Sequence, residues 1–225
     1  HGRFLGTVEV EKASGDLLVS GDRIAVSQIS DLSALPWRGL AVDLVMECSG
    51  AFKDRAQAEC HLQAGARRVL FSQPAESDVD ATLVYGINHE LLSAAASIVS
   101  NASCTTNCIV PVLRALDQSF GVLSGVITTI HSAMNDQPVI DSYHDSDLRK
   151  TRSAMQSIIP VDTELARGIE RILPHLQGLL EAQAIRVPTV NVSAMDLTVS
   201  LKRSATSEQI NQALRDSAKE LPSNV

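Results

Sequence analysis

Ile98-Val-Ser-Asn-Ala-Ser-Cys-Thr-Thr-Asn-Cys108 is the stretch on which the reading of this chain turns. Its first three residues read as a short apolar strand, the next three are small and polar, and Cys104 opens toward a helical stretch over 109–120, with Pro111 in its first turn or two. A strand feeding a helix through a short polar turn is the basic joint of an α/β fold. Upstream the joint recurs. Residues 41–50 form an apolar run ending in Ser49-Gly50, read as a buried parallel strand that opens into a loop. A helix is predicted over 54–64, stopped by Gly65, then strands over 67–72 and 82–85, and a helix over 89–96. This alternation predicts a parallel sheet with right-handed crossovers. Residues 3–26, broken at Ser14-Gly15-Asp16 and Gly21-Asp22, read as short strands joined by tight turns.

Downstream of Asn101 the style changes. A β-branched strand over 125–130 ends at His131, and a polar stretch over 132–162 follows with little periodicity, holding Asp136, Asp141, Asp145, Asp147, Arg149, Lys150 and Arg152. Loops of that length are uncommon in compact chains and are often functional. A helix over 165–173, long strands over 182–187 and 192–202 of a mostly antiparallel sheet, and an amphipathic helix over 207–221 with Ser207 as N-cap complete the pattern. The expected organisation is two domains, 1–102 and 103–225: a parallel α/β part followed by an α+β part.

Composition narrows the function. The 225 residues carry 19 Lys plus Arg against 26 Asp plus Glu, a net charge of −7. That argues against a nucleic-acid surface built on bulk positive charge and leaves room for a local basic pocket for a small anion. No apolar run approaches the ~20 residues that span a bilayer. Four cysteines, at 48, 60, 104 and 108, are too few for a disulfide framework and point to a reducing, cytoplasmic setting. Cys48 and Cys60 read as buried small hydrophobes. No second Cys or His pair at zinc-like spacing accompanies Cys104 and Cys108, so no metal is expected. The chain begins at His1 without a signal-peptide pattern, and a processing site or boundary upstream is the expectation.

Cys104 is the strongest chemical candidate. At a helix start, free N–H groups and the positive dipole end favour a thiolate, and Thr105 and Thr106 add hydroxyls. The plainer reading is a buried Cys with Ser103 as N-cap. His131, at a strand end, is a candidate to take the thiol's proton and return it later, against the plainer reading of a surface His. His61, His89, His144 and His175 read as surface residues. Arg149, Lys150, Arg152 and Arg186 could build an anion pocket; without more, residues 149–152 read better as a solvated loop balancing nearby aspartates.

Residues 100–108 resemble the active-site signature of the glyceraldehyde-3-phosphate dehydrogenase family, with His131 after Thr128-Thr129-Ile130 as its partner. Further similarity lies in His1-Gly-Arg-Phe4, Pro36-Trp37, Tyr85-Gly-Ile-Asn88, Ile158-Ile-Pro160, Arg186-Val-Pro-Thr189, Asn191-Val192 and Asp196-Leu-Thr-Val199, covering the chain to about residue 213. The resemblance implies a Rossmann-type NAD-binding domain and a catalytic domain. It further implies a cytoplasmic homotetramer, a sugar-phosphate substrate, and no nucleic-acid or membrane partner. Within the family, residues 131–141, 147–152, 156–163 and 80–86 resemble the branch that oxidises D-erythrose 4-phosphate and feeds pyridoxal phosphate synthesis. Ala133-Met134 and Thr163-Glu164 stand where glyceraldehyde-phosphate enzymes tend to have Thr-rich and Thr-Gly segments.

By position, the resemblance implies Cys104 as nucleophile and His131 as its acid–base partner. It places Ser103, Cys104, Thr105, Lys150, Thr163, Glu164 and Arg186 at the substrate, and Ser49, Gly50 and Ser72 along the cofactor. The family more often has Arg where Lys150 stands, and Ser30 stands where related chains often place an Arg near the adenine. The sequence contains no Gly-x-Gly-x-x-Gly fingerprint, and the family's last strands and closing helix are not recognisable after residue 213. Three readings stay open at this stage: oxidation of erythrose 4-phosphate, phosphorylating oxidation of glyceraldehyde 3-phosphate, and an inactive fragment that keeps only phosphate or partner binding.

Overall fold

The computed structural model describes residues 3–144 and 147–222, so Asp145 of the polar stretch lies outside the described residues, as do His1 and Gly2. Strands β1 (Val8–Val10), β2 (Leu17–Val19) and β3 (Asp22–Ile24) form an antiparallel meander in that order. Gly15 and Gly21 take φ of +81° and +93° at its two turns, a region open to glycine and strained for most residues. Asp16 accepts from the Val26 N–H at 3.1 Å and from Arg23 Nε at 2.8 Å, and those bonds hold its carboxyl below the ordinary range.

A parallel sheet follows, built from β4 (Leu44–Glu47), β5 (Arg68–Phe71), β6 (Ala81–Thr82) and β7 (Ile98–Ser100) in the order β4-β5-β7-β6. Helix α1 (Arg55–Gln63) joins β4 to β5. Asp54 caps it by accepting from the Gln57 N–H, and the Gln57 side chain accepts from the Asp54 N–H in return. Gly65 closes this crossover at φ +117°, and a Cβ there would come within 2.6 Å of the Arg38 backbone. Behind the sheet sits a small core of Ala58, Val69, Phe71, Ala75 and Ile98.

Several expectations for this half are corrected. β4 is not buried throughout: Val45 and Glu47 face inward while Leu44 and Met46 are exposed. The helix expected over 89–96 is only a 3-10 turn, His89–Leu91. Leu91 and Leu92 are exposed, so a helix there would bury no apolar face, and short helices without tertiary packing are marginal. The strand expected over 82–85 stops at Thr82. The Asn88 side chain takes over the strand's bonds instead, accepting from the Val84 N–H and donating to the Thr82 carbonyl.

The second half is a mixed sheet packed on helices: α2 (Cys104–Phe120), β8 (Val122–His131), β9 (Ile159–Val161), α3 (Leu165–Ile172), β10 (Leu180–Arg186), β11 (Ala194–Leu201) and α4 (Ser207–Glu220). The strand order is β11-β8-β10-β9, with β8 and β10 parallel and both outer pairs antiparallel. Helices α2 and α3 bury Ile109, Val110, Leu113, Leu116, Leu165 and Ile169 against Val122, Ile127 and Leu180 of this sheet. The α/β class expected from the strand–helix alternation, with a parallel sheet followed by a mostly antiparallel one, is borne out.

Two helix starts are corrected. α2 begins at Cys104, so Pro111 is its eighth residue and sits inside the helix, where the bond its missing N–H would make is lost. Ser103, accepting from the Thr106 N–H at 2.9 Å, is what starts it early. α4 is capped by Thr206, not Ser207, through a reciprocal bond with Gln209.

Candidate active site

Cys104 is the first residue of α2, exposed, with Ser103 as the cap behind it. The N–H groups of a helix's first turn lack intrahelical partners, which makes this end a donor-rich surface for negative charge. The Ser103 hydroxyl lies 2.7 Å from Thr106 Oγ1 and 3.0 Å from Thr105 Oγ1, so three hydroxyls cluster beside the thiol.

His131 ends β8, twenty-seven residues on, and its Nε2 stands 3.7 Å from Cys104 Sγ. Strand register places Arg186, the last residue of β10, directly beside it. Arg186 Nη1 is 3.0 Å from His131 Nδ1, and the Ser132 carbonyl is 2.8 Å from the same nitrogen. A guanidinium can only donate and a carbonyl can only accept, so the two contacts belong to different tautomers. With Nδ1–H donated to Ser132, Nε2 is unprotonated and faces the thiol. Arg186 Nε is buried with no protein partner.

Lys150 does not point free into this group: its Nζ donates to Asp136 at 2.9 Å. Burial pushes the Asp136 carboxyl up, but the Lys150 bond and charge, with Arg186 adding to them, hold it below its ordinary value. Arg149 pairs with Asp147 and Asp162 and Arg152 with Asp141, so those two cations balance aspartates on the surface, as the plainer reading had it.

A cleft of about 500 Å³ opens beside the helix start. Ser103, Thr105, Thr163 and Glu164 line it together, while Cys104, His131, Lys150 and Arg186 are not among its walls. Reasoning from sequence missed Lys53, Glu76, Gly168 and Arg171, which line it as well. Lys53 pairs with Glu76 at 2.8 Å, drawing the Glu76 carboxyl down and raising its own affinity for a proton. Gly168 carried a readable signal, a lone glycine inside a helix pattern: a Cβ there would lie 2.9 Å from Thr106 Oγ1. Lys53 and Arg171 carried none, since only the approach of the two sheets brings them to the cleft.

The carboxyl ends of β4, β5 and β7 lie side by side, with Glu47 opposite Phe71 and Phe71 opposite Ser100. Such a row of parallel strand ends is where open α/β sheets receive ligands. Ser49, Gly50 and Ser72 are all exposed there. Gly50 takes φ +74° and a Cβ on it would meet nothing, so this corner leaves room for a ligand to approach the backbone.

Three other expectations fail. His61 is not at the surface: it is buried between Trp37 and Glu47. Cys48 is exposed and Cys60 half-buried, because β4 ends before Cys48 and α1 turns Cys60 toward its rim. His89 and His175 are at the surface as expected, His175 beside Asp117 at 3.0 Å. Among the described residues no group of His, Cys, Asp or Glu could hold a metal ion, and no helix is long and apolar enough to cross a membrane.

Comparison with known families agrees with this architecture. A family model described as glyceraldehyde 3-phosphate dehydrogenase, C-terminal domain, matches residues 103–225. A second, described as glyceraldehyde 3-phosphate dehydrogenase, NAD binding domain, matches residues 1–55.

Proposed function

The chain belongs to the glyceraldehyde 3-phosphate dehydrogenase family, and on that premise we propose that it oxidises D-erythrose 4-phosphate to 4-phospho-D-erythronate. Its domains are those of an NAD-dependent oxidoreductase. The single observation that carries the proposal is the Cys104–His131 approach of 3.7 Å, with the donor-rich start of α2 on one side and Arg186 on the other.

Cys104 loses its proton to His131 Nε2, and the helix N-terminus steadies the thiolate. Sulfur attacks the aldehyde carbon, the C=O π pair moves onto oxygen, and that oxygen takes the proton back from His131 to give a hemithioacetal. N–H groups at the start of α2 face the charge that develops on that oxygen during attack. His131 then removes the hydroxyl proton as the carbon gives up its hydride, leaving a thioester on Cys104. Ser49, Gly50 and Ser72 at the strand ends would hold NAD, which would supply the hydride acceptor. His131 passes that proton to solvent and then takes one from water as the water oxygen attacks the thioester carbon; collapse breaks the C–S bond, returning Cys104 as thiolate and releasing the acid.

Arg186, with its buried and unpartnered Nε, and Lys150 supply donors for the substrate's phosphate. Thr163 and the Ser103–Thr105 hydroxyls complete the substrate contacts. Glu164 favours water over inorganic phosphate as acceptor. Its carboxylate lines the cleft near the thiol-bearing helix start and accepts from Arg167 at 2.9 Å, so inorganic phosphate would have to compete with it for that cation. We divide the chain at 102/103 into cofactor and catalytic parts and propose a homotetramer, which sedimentation velocity tests. The functional test is NADH formation from erythrose 4-phosphate and glyceraldehyde 3-phosphate, each with and without inorganic phosphate. Faster turnover of the four-carbon substrate with no dependence on phosphate is expected. A strict phosphate requirement with preference for the three-carbon substrate would move the assignment to the phosphorylating reaction.

A further inference from the structure

Glu47 and His61 are buried polar residues that the proposed chemistry leaves unused, at 6% and 3% exposure. A buried carboxylate is costly unless its oxygens are bonded, so its retention at the end of β4 calls for a reason. Glu47 Oε1 accepts from the Ser49 N–H at 2.7 Å, and Oε2 lies 3.4 Å from His61 Nε2. On its other side, His61 Nδ1 lies 3.1 Å from Trp37 Nε1. An indole N–H only donates, so Nδ1 is the acceptor and the imidazole proton sits on Nε2, directed at Glu47. The three side chains therefore form one directional chain of bonds from Trp37 through His61 to Glu47, and on to the backbone of Ser49.

That backbone is the corner over residues 48–51. It is tied down at few points: Glu47 Oε1 on the Ser49 N–H, Ser49 Oγ accepting from the Ala51 N–H at 3.1 Å, and the Glu47 carbonyl accepting from the Ser72 N–H at 3.0 Å. Gly50 in the left-handed region supplies no side chain to pack. The corner's shape thus rests on a carboxylate whose own orientation is set by His61.

We propose that Glu47 and His61 are positioning residues for cofactor binding. They hold the corner over residues 48–51 open at the strand ends, and Trp37 senses its occupancy through His61. This rests on the reading that Ser49 and Gly50 face NAD. The chain has a single tryptophan, so all indole emission comes from the residue that donates to His61.

The test is a titration of the wild-type protein and the variants E47Q, H61Q and H61L with NAD, followed by Trp37 fluorescence and independently by equilibrium dialysis. Thermal unfolding and the rate of Cys104 alkylation by iodoacetamide are measured on each. In wild type, a saturable change in Trp37 emission is expected at the same NAD concentration that dialysis gives. H61L, which cannot donate to Glu47, should raise the NAD dissociation constant about tenfold, the equilibrium value of one hydrogen bond to a charged group. H61Q, which keeps a donor and an acceptor, should stay within about threefold of wild type. E47Q should weaken binding as H61L does, and Cys104 alkylation should be unchanged in all three. Equal losses in H61Q and H61L, tracking lost thermal stability, would overturn the positioning role and leave a packing role. Unchanged NAD affinity in E47Q and H61L would overturn it outright. Should the wild-type protein show NAD binding by neither method, the cofactor reading itself falls and takes this proposal with it.

Discussion

The two four-stranded sheets of this protein are held together in different ways. The mixed sheet owes its order to apolar mass, with Leu113, Val110, Ile127 and Ile169 fully enclosed between it and α2 and α3. The parallel sheet has only a small apolar core and leaves Leu44 and Met46 exposed. It relies on polar staples instead. Asp80 accepts from the Ser97 and Ile98 N–H groups and from Arg55, Asn88 bonds the backbone at Val84 and Thr82, and Ser100 Oγ donates to the Gln73 carbonyl at 2.7 Å. The proposed function gives this contrast a reason. Bond-making between Cys104 and a carbonyl carbon tolerates little displacement, and close packing supplies that rigidity. A cofactor crevice must admit and release its ligand, and polar bonds at strand ends can shape it without filling it.

The largest effect that sharpens this contrast is Cys104→Ser. Aldehyde oxidation should fall by about four orders of magnitude while NAD affinity and thermal unfolding stay at wild-type values, since the proposed chemistry and the proposed cofactor contacts belong to different sheets. Measurable turnover above one percent would remove Cys104 from its role.

Next come two core truncations. Leu113→Ala and Phe71→Ala should each cost about 3–4 kcal/mol by denaturant titration. Amide exchange should separate them: Leu113→Ala exposes β8, β10 and α2, whereas Phe71→Ala exposes β4, β5 and β7 and leaves β8 protected. Exchange that rises uniformly over both sheets in both variants would break the comparison, showing one cooperative unit.

The polar staple is tested through pH. Bonds from Arg55 and the Ile98 N–H hold the Asp80 carboxyl at about 2, against an ordinary 3.8. A lowered folded-state value means that the ionised form stabilises the fold above the unfolded value, and that this contribution drains away as pH falls from about 4 toward 2. Asp80→Asn should therefore cost about 1–2 kcal/mol at pH 7 and converge on wild type only as pH falls to about 2, with the loss confined to amides of the parallel sheet. A difference that is constant with pH would assign Asp80 a role in shape instead of charge.

The smallest effect expected is on specificity. Met134→Thr combined with Glu164→Gly should shift the kcat/KM ratio toward glyceraldehyde 3-phosphate by about tenfold, with no change in KM for NAD. An unmoved ratio would show that these two positions do not choose the substrate.

Local rules made much of this legible. Gly65 as a stop bounded α1, a β-branched run placed β8, extended runs placed β10 and β11, and a polar turn after an apolar strand placed the start of α2 and its Cys104. Where reading failed, a tertiary term had outweighed a local preference. The 89–96 helix lost for want of a surface to cover, and Ser207 lost the cap to Thr206 because Gln209 could answer Thr206 reciprocally. His61 looked solvated because nothing in its own helix says that Trp37 and Glu47 close over it.

The amino-acid sequence by itself determined the alternation of strands and helices, the division of style near Asn101, and the chemistry available at Cys104 and His131, because these depend on periodicity, caps and residue type within a few positions. Only the tertiary structure decided which distant groups meet. It set His131 Nε2 at 3.7 Å from the thiol, put Arg186 beside His131 through strand register, paired Lys150 with Asp136, and enclosed His61 against Glu47. Those outcomes depend on strand order and on contacts between residues far apart in the chain, and no local pattern encodes which strand end will stand next to which.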